Sequence, residues 1–304
     1  MADVTDAPFR QLIAKYGKPD VTWTEFVSAD GLALAPKAGR EKLLKSFIFT
    51  ESERPIVAQF FTANPDHMKK AAELASELGF DGVDINMGCP DRAVEKQGAG
   101  AALIKNPKLA RELVRAAKEG AKNLPVSVKT RIGYNKNELE TWLPELLAEN
   151  PAAITIHART RKEMSDVPAR WDMVKRAVEI RNALKSETLI IGNGDALDIK
   201  DARKKVEATG ADGVMLGRAI FGNPWLFSEK NPTQKEKLLV LLEHTLLFEK
   251  ILTGTKNFSV MKKHFKAYVS GFSGAAELRA KLMETNSARE VKKIITDYLK
   301  NGLK

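Results

Sequence analysis

The only cysteine of the chain, Cys89, lies in the segment INMGCPDRAVEKQGAGAAL, directly after an apolar stretch that ends at Asn86. Gly88 and Pro90 flank it, which predicts a constrained turn at the end of a strand. A thiol has a reference pKa of about 8.5, so near neutral pH it is mostly protonated and can donate a proton as well as attack. Cys89 is therefore a candidate catalytic residue, although a free cysteine is most often a small buried apolar group.

Two further segments carry residues that could bind or react with a ligand. Lys129 and Arg131 alternate in VSVKTRIGY, so both side chains can lie on one side of a strand. A lysine there could form a Schiff base, neutralise an anionic ring or belong to a structural ion pair. His157 follows the apolar run in ITIHART, where it could donate to a ligand or be a satisfied core histidine.

Two later segments predict a phosphate site. IIGNGDA and GVMLGRAIFGNPWLF each run from an apolar stretch into glycine, then a polar residue, then a helix start. Barrel enzymes often bind phosphate at the loops after their last two strands, through backbone N–H groups and a helix N-terminus. Arg218 adds a positive charge there. The glycine-rich KQGAGA lacks the Walker spacing, and close backbone packing under a ligand explains it equally well.

The elements that position these residues are short apolar runs alternating with longer amphipathic stretches, as in a parallel α/β fold. The predicted strands are residues 21–27, 56–61, 82–86, 126–130, 153–158, 189–194 and 213–218. Two Asn-Pro pairs, at 64–65 and 106–107, predict helix starts, and Gly79 and Gly120 predict the ends of those helices. A polar residue recurs at the C-terminal end of the strands: Glu25, Gln59, Asn86, Lys129, His157, Asn193 and Arg218. This rim favours a (β/α)8 TIM barrel one strand short over an open doubly wound sheet.

Charge and composition indicate a polyanionic partner. The 304 residues are 43% hydrophobic and carry a net charge of +10, of which residues 228–304 hold 15 Lys and Arg against 8 Asp and Glu. We predict a barrel domain over 1–227 and a basic helical domain over 228–304, whose charge could also be a solvated face. One cysteine excludes a disulfide framework or a cysteine-based zinc cluster. With no signal peptide or membrane-spanning stretch, we expect a cytoplasmic protein without membrane contact. We also expect a monomer that binds no metal.

Taken in order, these segments resemble the tRNA-dihydrouridine synthase family from Met1 to about residue 300. The resemblance rests on MADVTDAPFR, TEFVSADGL, INMGCPDRAVEKQGAGAAL, VSVKTRIGYN, ITIHARTR, IIGNGD, GADGVMLGRAIFGNPWLF and, in the tail, KKHFKAYVSGFSGAAELR. It implies an FMN-dependent barrel enzyme that reduces a uridine in tRNA to 5,6-dihydrouridine, with NADPH as reductant. In such a reaction hydride passes from flavin N5 to uracil C6, and a general acid protonates C5.

The resemblance also implies roles for individual residues. Cys89 matches the family's proton donor, and Asn86 and Arg131 match residues that hold the uracil. The residues that match cofactor contacts are Gln59, Lys129, His157, Asn193, Gly194, Asp195, Gly217 and Arg218. In the basic tail, we expect Lys262, Lys263 and His264 to contact the tRNA.

Two departures from the family pattern and three alternative functions accompany this interpretation. Family members usually open with a strand ending in Leu-Ala-Pro before the Met-Ala that starts this chain, so we expect the first barrel strand to be absent. The segment EMSDVPARWD also replaces a tyrosine and a glycine that many relatives carry after the histidine. The alternatives are a flavin barrel reducing a small pyrimidine, a Schiff-base barrel using Lys129 on a sugar phosphate, and a non-catalytic RNA-binding module.

Overall fold

The structure, a computed structural model, describes residues 1–228 and 230–301. The chain forms two compact units. The sheet unit contains residues 21–44 and 54–217, and the helical unit contains residues 1–20, 45–53 and the chain from Arg218 onward. This grouping by compactness is not a domain boundary, so the predicted boundary between residues 227 and 228 stays a prediction.

The strands of the sheet unit pair in parallel in the order of a barrel. They are β1 Thr22–Trp23, β2 Val27–Ser28, β3 Ile56–Phe61, β4 Gly82–Met87, β5 Val126–Arg131, β6 Ala153–His157, β7 Leu189–Asn193 and β8 Gly213–Met215. The order is β1-β3-β4-β5-β6-β7-β8, with β2 also pairing β3. A doubly wound sheet reverses its strand order at a switch point, whereas a barrel adds its strands in sequence. The α/β barrel class is therefore confirmed.

Helices follow most of these strands and continue beyond them. They are α1 Ala7–Tyr16, α2 Ala29–Leu34, α3 Lys37–Leu44, α4 Pro65–Glu77, α5 Arg92–Lys96, α6 Pro107–Ala121, α7 Leu139–Leu147, α8 Trp171–Ala183, α9 Ile199–Thr209, α10 Gln234–Leu252, α11 Met261–Tyr268, α12 Ala275–Met283 and α13 Ala288–Asn301. The predicted helical character of the tail is confirmed by α10 to α13. No helix within the described residues is both long and apolar enough to cross a membrane.

The first predicted strand, residues 21–27, is split into β1 and β2. Between them the Thr24 hydroxyl accepts the backbone N–H of Gln59 at 3.0 Å and donates to the Glu25 carbonyl at 2.9 Å. A side chain thus takes the place of a backbone acceptor in the ladder to β3. The local alternation of residues could not reveal this interruption, because it depends on a strand more than thirty residues away.

Local signals explain where α4 and α6 begin. The Asn64 side chain accepts from the backbone N–H groups of Asp66 and His67, and Asn106 accepts from that of Leu109. In both helices proline follows the cap, where its missing N–H costs no hydrogen bond. The prediction that Gly120 ends α6 is wrong, since the helix continues to Ala121.

The helical unit is held by a buried ion pair that joins its first helix to a later segment. Arg10 Nε donates to Glu53 Oε2 at 2.9 Å, and both side chains are almost fully buried. The other guanidinium nitrogens donate to the carbonyls of Thr5 at 3.0 Å and Ile48 at 2.7 Å. Each charge is therefore paired and hydrogen-bonded, which is the condition under which a buried ion pair is tolerated.

Candidate functional site

The Cys89 turn lies directly after β4 and is held by the side chain of Asn86. Asn86 Oδ1 accepts the backbone N–H of Gly88 at 3.1 Å and that of Cys89 at 2.9 Å. The Cys89 carbonyl accepts the N–H of Ala101 at 2.9 Å. The thiol is partly exposed, and burial raises its pKa above the ordinary value. Cys89 therefore remains protonated near neutral pH and can act as a proton donor.

The glycine-rich loop KQGAGA packs against the backbone of the Cys89 turn. Gly100 has φ +61°, and a Cβ on it would lie 2.7 Å from the Cys89 carbonyl oxygen and 2.8 Å from Val94 Cγ1. Any side chain at Gly100 would displace the turn. Of the two interpretations of KQGAGA, the geometry favours close backbone packing over a phosphate loop.

A polar chain inside the sheet leads from a buried carboxylate to the same turn. Asn86 Nδ2 donates to Gln59 Oε1 at 3.1 Å, and Gln59 Nε2 donates to Asp84 Oδ2 at 2.7 Å. Ser127 Oγ donates to Asp84 Oδ1 at 2.5 Å. Burial raises the pKa of Asp84 to about 6, against the stabilising hydrogen bonds of Ser127 and Gln59. The amide orientations of Gln59 and Asn86 are thus set from both ends.

Lys129 lies on β5, opposite Asn86 of β4 and Thr155 of β6. It is partly buried and makes no hydrogen bond or ion pair with any residue in 1–228 or 230–301. Burial and the charge of Arg131 lower the pKa of Lys129 to about 8. The charge of Asp84 partly offsets this, but no described side chain accepts a hydrogen bond from the ammonium, so the position suits a ligand that offers acceptors.

Arg131, the last residue of β5, stabilises the Cys89 turn that follows β4. Its Nε donates to the Gly88 carbonyl at 2.8 Å, and its Nη1 donates to the carbonyls of Thr160 and Met164, both at 3.0 Å. Burial lowers the pKa of Arg131 to about 10, so it stays charged at neutral pH. Arg131 thus links the turn that carries Cys89 to the segment after β6.

His157 ends β6, where it lies opposite Arg131 of β5 and Asn193 of β7. Its Nε2 is 3.1 Å from Nη1 of Arg159, a residue that the sequence reasoning missed. Arg159 also forms an ion pair with Asp195 and donates from Nε to the Val167 carbonyl at 2.5 Å. Burial, with the charges of nearby cations, lowers the pKa of His157 to about 2.

The two-residue alternation of a strand could have found Asp84, which precedes Asn86 by two positions on β4. That spacing places side chains on one side of an extended chain, as it does for Lys129 and Arg131. Arg159 carries no such signal, because it lies beyond the end of β6, where its backbone N–H donates to the His157 carbonyl at 2.7 Å.

The loops predicted to hold a phosphate follow β7 and β8. Asn193 Nδ2 donates to the Met215 carbonyl at 2.7 Å, which joins the ends of the two strands. Gly194 has φ +124°, and its carbonyl accepts from Trp171 Nε1 at 2.8 Å. A Cβ added to Gly217 would meet no described atom within 4 Å, so the chain borders open space there.

The structure brings most of the predicted cofactor residues together within the sheet unit. Gln59 and Lys129 lie within β3 and β5, and His157 and Asn193 end β6 and β7. Gly194, Asp195 and Gly217 lie on the loops that follow the strands. Arg218 begins a short 3₁₀ helix of the helical unit and is described with that unit.

The predicted RNA contacts of the tail lie on α11, and they differ in exposure. Lys263 is exposed and lies 3.5 Å from an Asp3 carboxylate oxygen, whereas Lys262 is partly exposed and has no ion pair among the residues described. His264 is fully buried, with its ring centroid 4.4 Å from that of His244 and 5.0 Å from that of Phe9. A ring in that position has no surface for an RNA phosphate, which argues against the predicted tRNA contact of His264.

Comparisons with known proteins identify what the chain resembles as a whole. A family model described as dihydrouridine synthase matches residues 1–302. The chain is 40% identical over 303 residues to the probable tRNA-dihydrouridine synthase 2 of Bacillus subtilis (strain 168), covering 98% of this chain and 92% of that protein. It is 39% identical over 303 residues to the probable tRNA-dihydrouridine synthase of Staphylococcus aureus (strain COL), covering 98% and 91%.

Solved structures resemble the chain at the level of the fold. Morphinone reductase matches with a TM-score of 0.52 and 14% identity, over 74% of this chain and 80% of that one. An old yellow enzyme homologue from Zymomonas mobilis matches with a TM-score of 0.51 and 15% identity, over 75% and 85%. At such identities the likeness concerns the barrel fold alone.

Proposed function

The chain belongs to the dihydrouridine synthase family, and from that premise we propose that it reduces a uridine in tRNA to 5,6-dihydrouridine, with FMN as cofactor and NADPH as reductant. One observation carries the proposal: the family match over residues 1–302 includes every segment that builds the site around Cys89. That site occupies the C-terminal ends of parallel strands, where barrel enzymes carry their active sites.

The chemistry of the side chains in the site fits a flavin. A flavin ring system and its phosphate offer mainly acceptors, and the site offers donors: the ammonium of Lys129 and the imidazole of His157. The positive charge of Lys129 stabilises an anionic ligand by Coulomb attraction. When bound, the flavin supplies the hydride that reduces C6 of the uracil. The residues of the sheet unit that would hold it are Gln59, Lys129, His157, Asn193, Gly194, Asp195 and Gly217.

Cys89 supplies the proton that completes the reduction, at C5 of the uracil. Burial raises the pKa of its thiol, so the acid form is present at neutral pH. The carbonyls of the uracil need donors, which Asn86 and Arg131 can supply. Asn86 also fixes the backbone of the Cys89 turn, so one side chain orients both the substrate and the acid.

The tRNA must present its target base out of the stack, because a stacked uracil cannot reach a cofactor at the mouth of a barrel. The basic helical tail is suited to hold the phosphates of the surrounding RNA, since phosphate contacts set orientation and base contacts set specificity. Lys262 and Lys263 are the tail residues that we assign to this role.

The test is an anaerobic absorption measurement on the purified protein with FMN. We expect a flavin spectrum that bleaches on addition of NADPH and returns when unmodified tRNA is added, together with dihydrouridine in the digested RNA. Free uridine at the same concentration is the matched control and should leave the reduced spectrum unchanged.

Other outcomes separate the alternatives. Reoxidation by free uridine or another small pyrimidine, but not by tRNA, would replace the proposed substrate with a small molecule. A protein that binds tRNA but takes up no FMN would contradict the enzymatic proposal and support an RNA-binding module.

A further inference from the structure

We propose that Arg159, anchored by Asp195, is a positioning residue that fixes His157 as a hydrogen-bond donor through Nδ1. The inference rests on the proposed function in one respect, that the ligand which receives this hydrogen bond is the cofactor. It gives the Asp195 carboxylate the additional role of holding Arg159.

The tautomer follows from the donor inventory of the two side chains. Nη1 of Arg159 lies 3.1 Å from Nε2 of His157. A guanidinium carries only donors, so Nε2 must be the acceptor. A neutral imidazole has one donor and one acceptor nitrogen, so the ring proton of His157 is on Nδ1. That nitrogen makes no hydrogen bond within the described part of the chain and is available to a ligand.

Several contacts restrain the guanidinium of Arg159. Its Nη2 pairs with Asp195 Oδ2, and its Nε donates to the Val167 carbonyl at 2.5 Å. The same Asp195 oxygen accepts the backbone N–H of Ala169 at 2.9 Å. The Arg159 side chain is only 3% exposed. Each of its three nitrogens therefore has a distinct partner, and the imidazole is one of them.

The charges around the ring keep it neutral. Lys129 and Arg131 on β5 and Arg159 after β6 all oppose protonation of His157, whereas Asp195 after β7 favours it. Burial acts in the same direction as the cations, and together they lower the pKa of His157 to about 2. His157 thus contributes a neutral donor beside the ammonium of Lys129, and the ligand must present acceptors to both.

Nitrogen-15 NMR of the full-length protein, labelled in histidine and measured with and without FMN, tests this directly. The chain has four histidines, so the imidazole signals are few, and His157→Gln identifies those of His157. We expect His157 to be protonated on Nδ1 in both states. In Arg159→Met nothing fixes Nε2 as an acceptor, so we expect the Nε2–H form to appear and FMN to bind about three- to tenfold more weakly.

Arg181→Met is the matched control. Arg181 pairs with Asp212 at 3.1 Å and donates to the Thr188 carbonyl at 3.0 Å, so it is also a partly buried arginine with a carboxylate and a carbonyl partner. Asp212 precedes β8 and bonds the N–H of Ile190 near the start of β7, away from the strand ends that form the site. This variant should leave the His157 tautomer and the FMN affinity unchanged.

Two results would overturn the proposal. One is an Nε2–H or doubly protonated His157 in the wild-type protein, which requires no variant to fold. The other is an unchanged Nδ1–H tautomer in Arg159→Met. The tautomer is measured on the protein itself, so a chain that shows the expected tautomer but does not reduce tRNA would contradict the proposed function and leave this inference standing.

Discussion

Replacement of Cys89 by alanine separates chemistry from binding in this site. The turn that carries Cys89 is held through its backbone, by Asn86 Oδ1 at 2.9 Å and by the N–H of Ala101 at 2.9 Å. Neither bond involves the sulfur atom. Cys89→Ala should therefore keep the turn and leave the affinities for FMN and tRNA within about twofold of the wild type, at a stability cost of about 1 kcal/mol.

The rate of substrate reduction should fall far more than binding does. A positioned general acid contributes about 10²- to 10⁴-fold, which corresponds to about 2.7 to 5.5 kcal/mol of transition-state stabilisation. Arg131 and Asn86 remain in place in the variant, so this loss belongs to the missing proton donor alone. Cys89→Ser should be nearly as slow, because a hydroxyl is a much weaker acid than a thiol.

The pH dependence has a definite sign. The active form of Cys89 is the protonated one, so the wild-type rate should be constant at low pH and fall as pH rises through the pKa of the thiol. Burial raises that pKa above the ordinary value of about 8.5. The decline should therefore lie above pH 8.5, and with FMN saturating it should be absent in Cys89→Ala.

A single-turnover assay measures this step without product release. Enzyme reduced anaerobically by NADPH is mixed rapidly with tRNA, and the return of flavin absorbance is followed at several pH values. A Cys89→Ala protein that reoxidises at the wild-type rate, or that keeps the decline at alkaline pH, would remove Cys89 from the mechanism.

Three further predictions concern charge in the two units. Lys129→Met should weaken FMN binding. The pKa of Lys129 is lowered to about 8, so the affinity of the wild-type protein for FMN should decline as pH rises through that value. A Kd for FMN that does not change with pH would contradict this. Glu53→Gln leaves its buried arginine partner uncompensated and should cost about 3 to 5 kcal/mol in urea unfolding, so a loss below about 1 kcal/mol would refute the account. Lys262→Gln should weaken tRNA binding and lower the slope of log K against log salt concentration by about one. Lys263→Gln should have a smaller effect, because Lys263 is already paired with Asp3. Equal effects of the two variants in a salt titration of the tRNA Kd would argue against that distinction.

The sequence by itself determined the parallel α/β class, most strand positions and the residues that line the strand ends. These follow from short-range physics. Apolar runs bury strands on both faces, Asn-Pro pairs cap helices, and a two-residue alternation places Lys129 and Arg131 on one side of a strand. The family motifs then identified Cys89 as the candidate acid.

Only the tertiary structure decided how distant segments complete these elements. Gly120 was predicted to end α6, yet it lies inside the helix because α6 crosses α4 there, where a Cβ would lie 2.1 Å from the Lys69 carbonyl oxygen. His157 was identified from its strand, but its tautomer depends on Arg159 and on Asp195, which is 36 residues further along the chain. In the sequence, a glycine that ends a helix cannot be distinguished from one that lets a neighbouring helix approach. The two tautomers of an imidazole cannot be distinguished there either. The difference lies in which backbone or charge the fold brings against it.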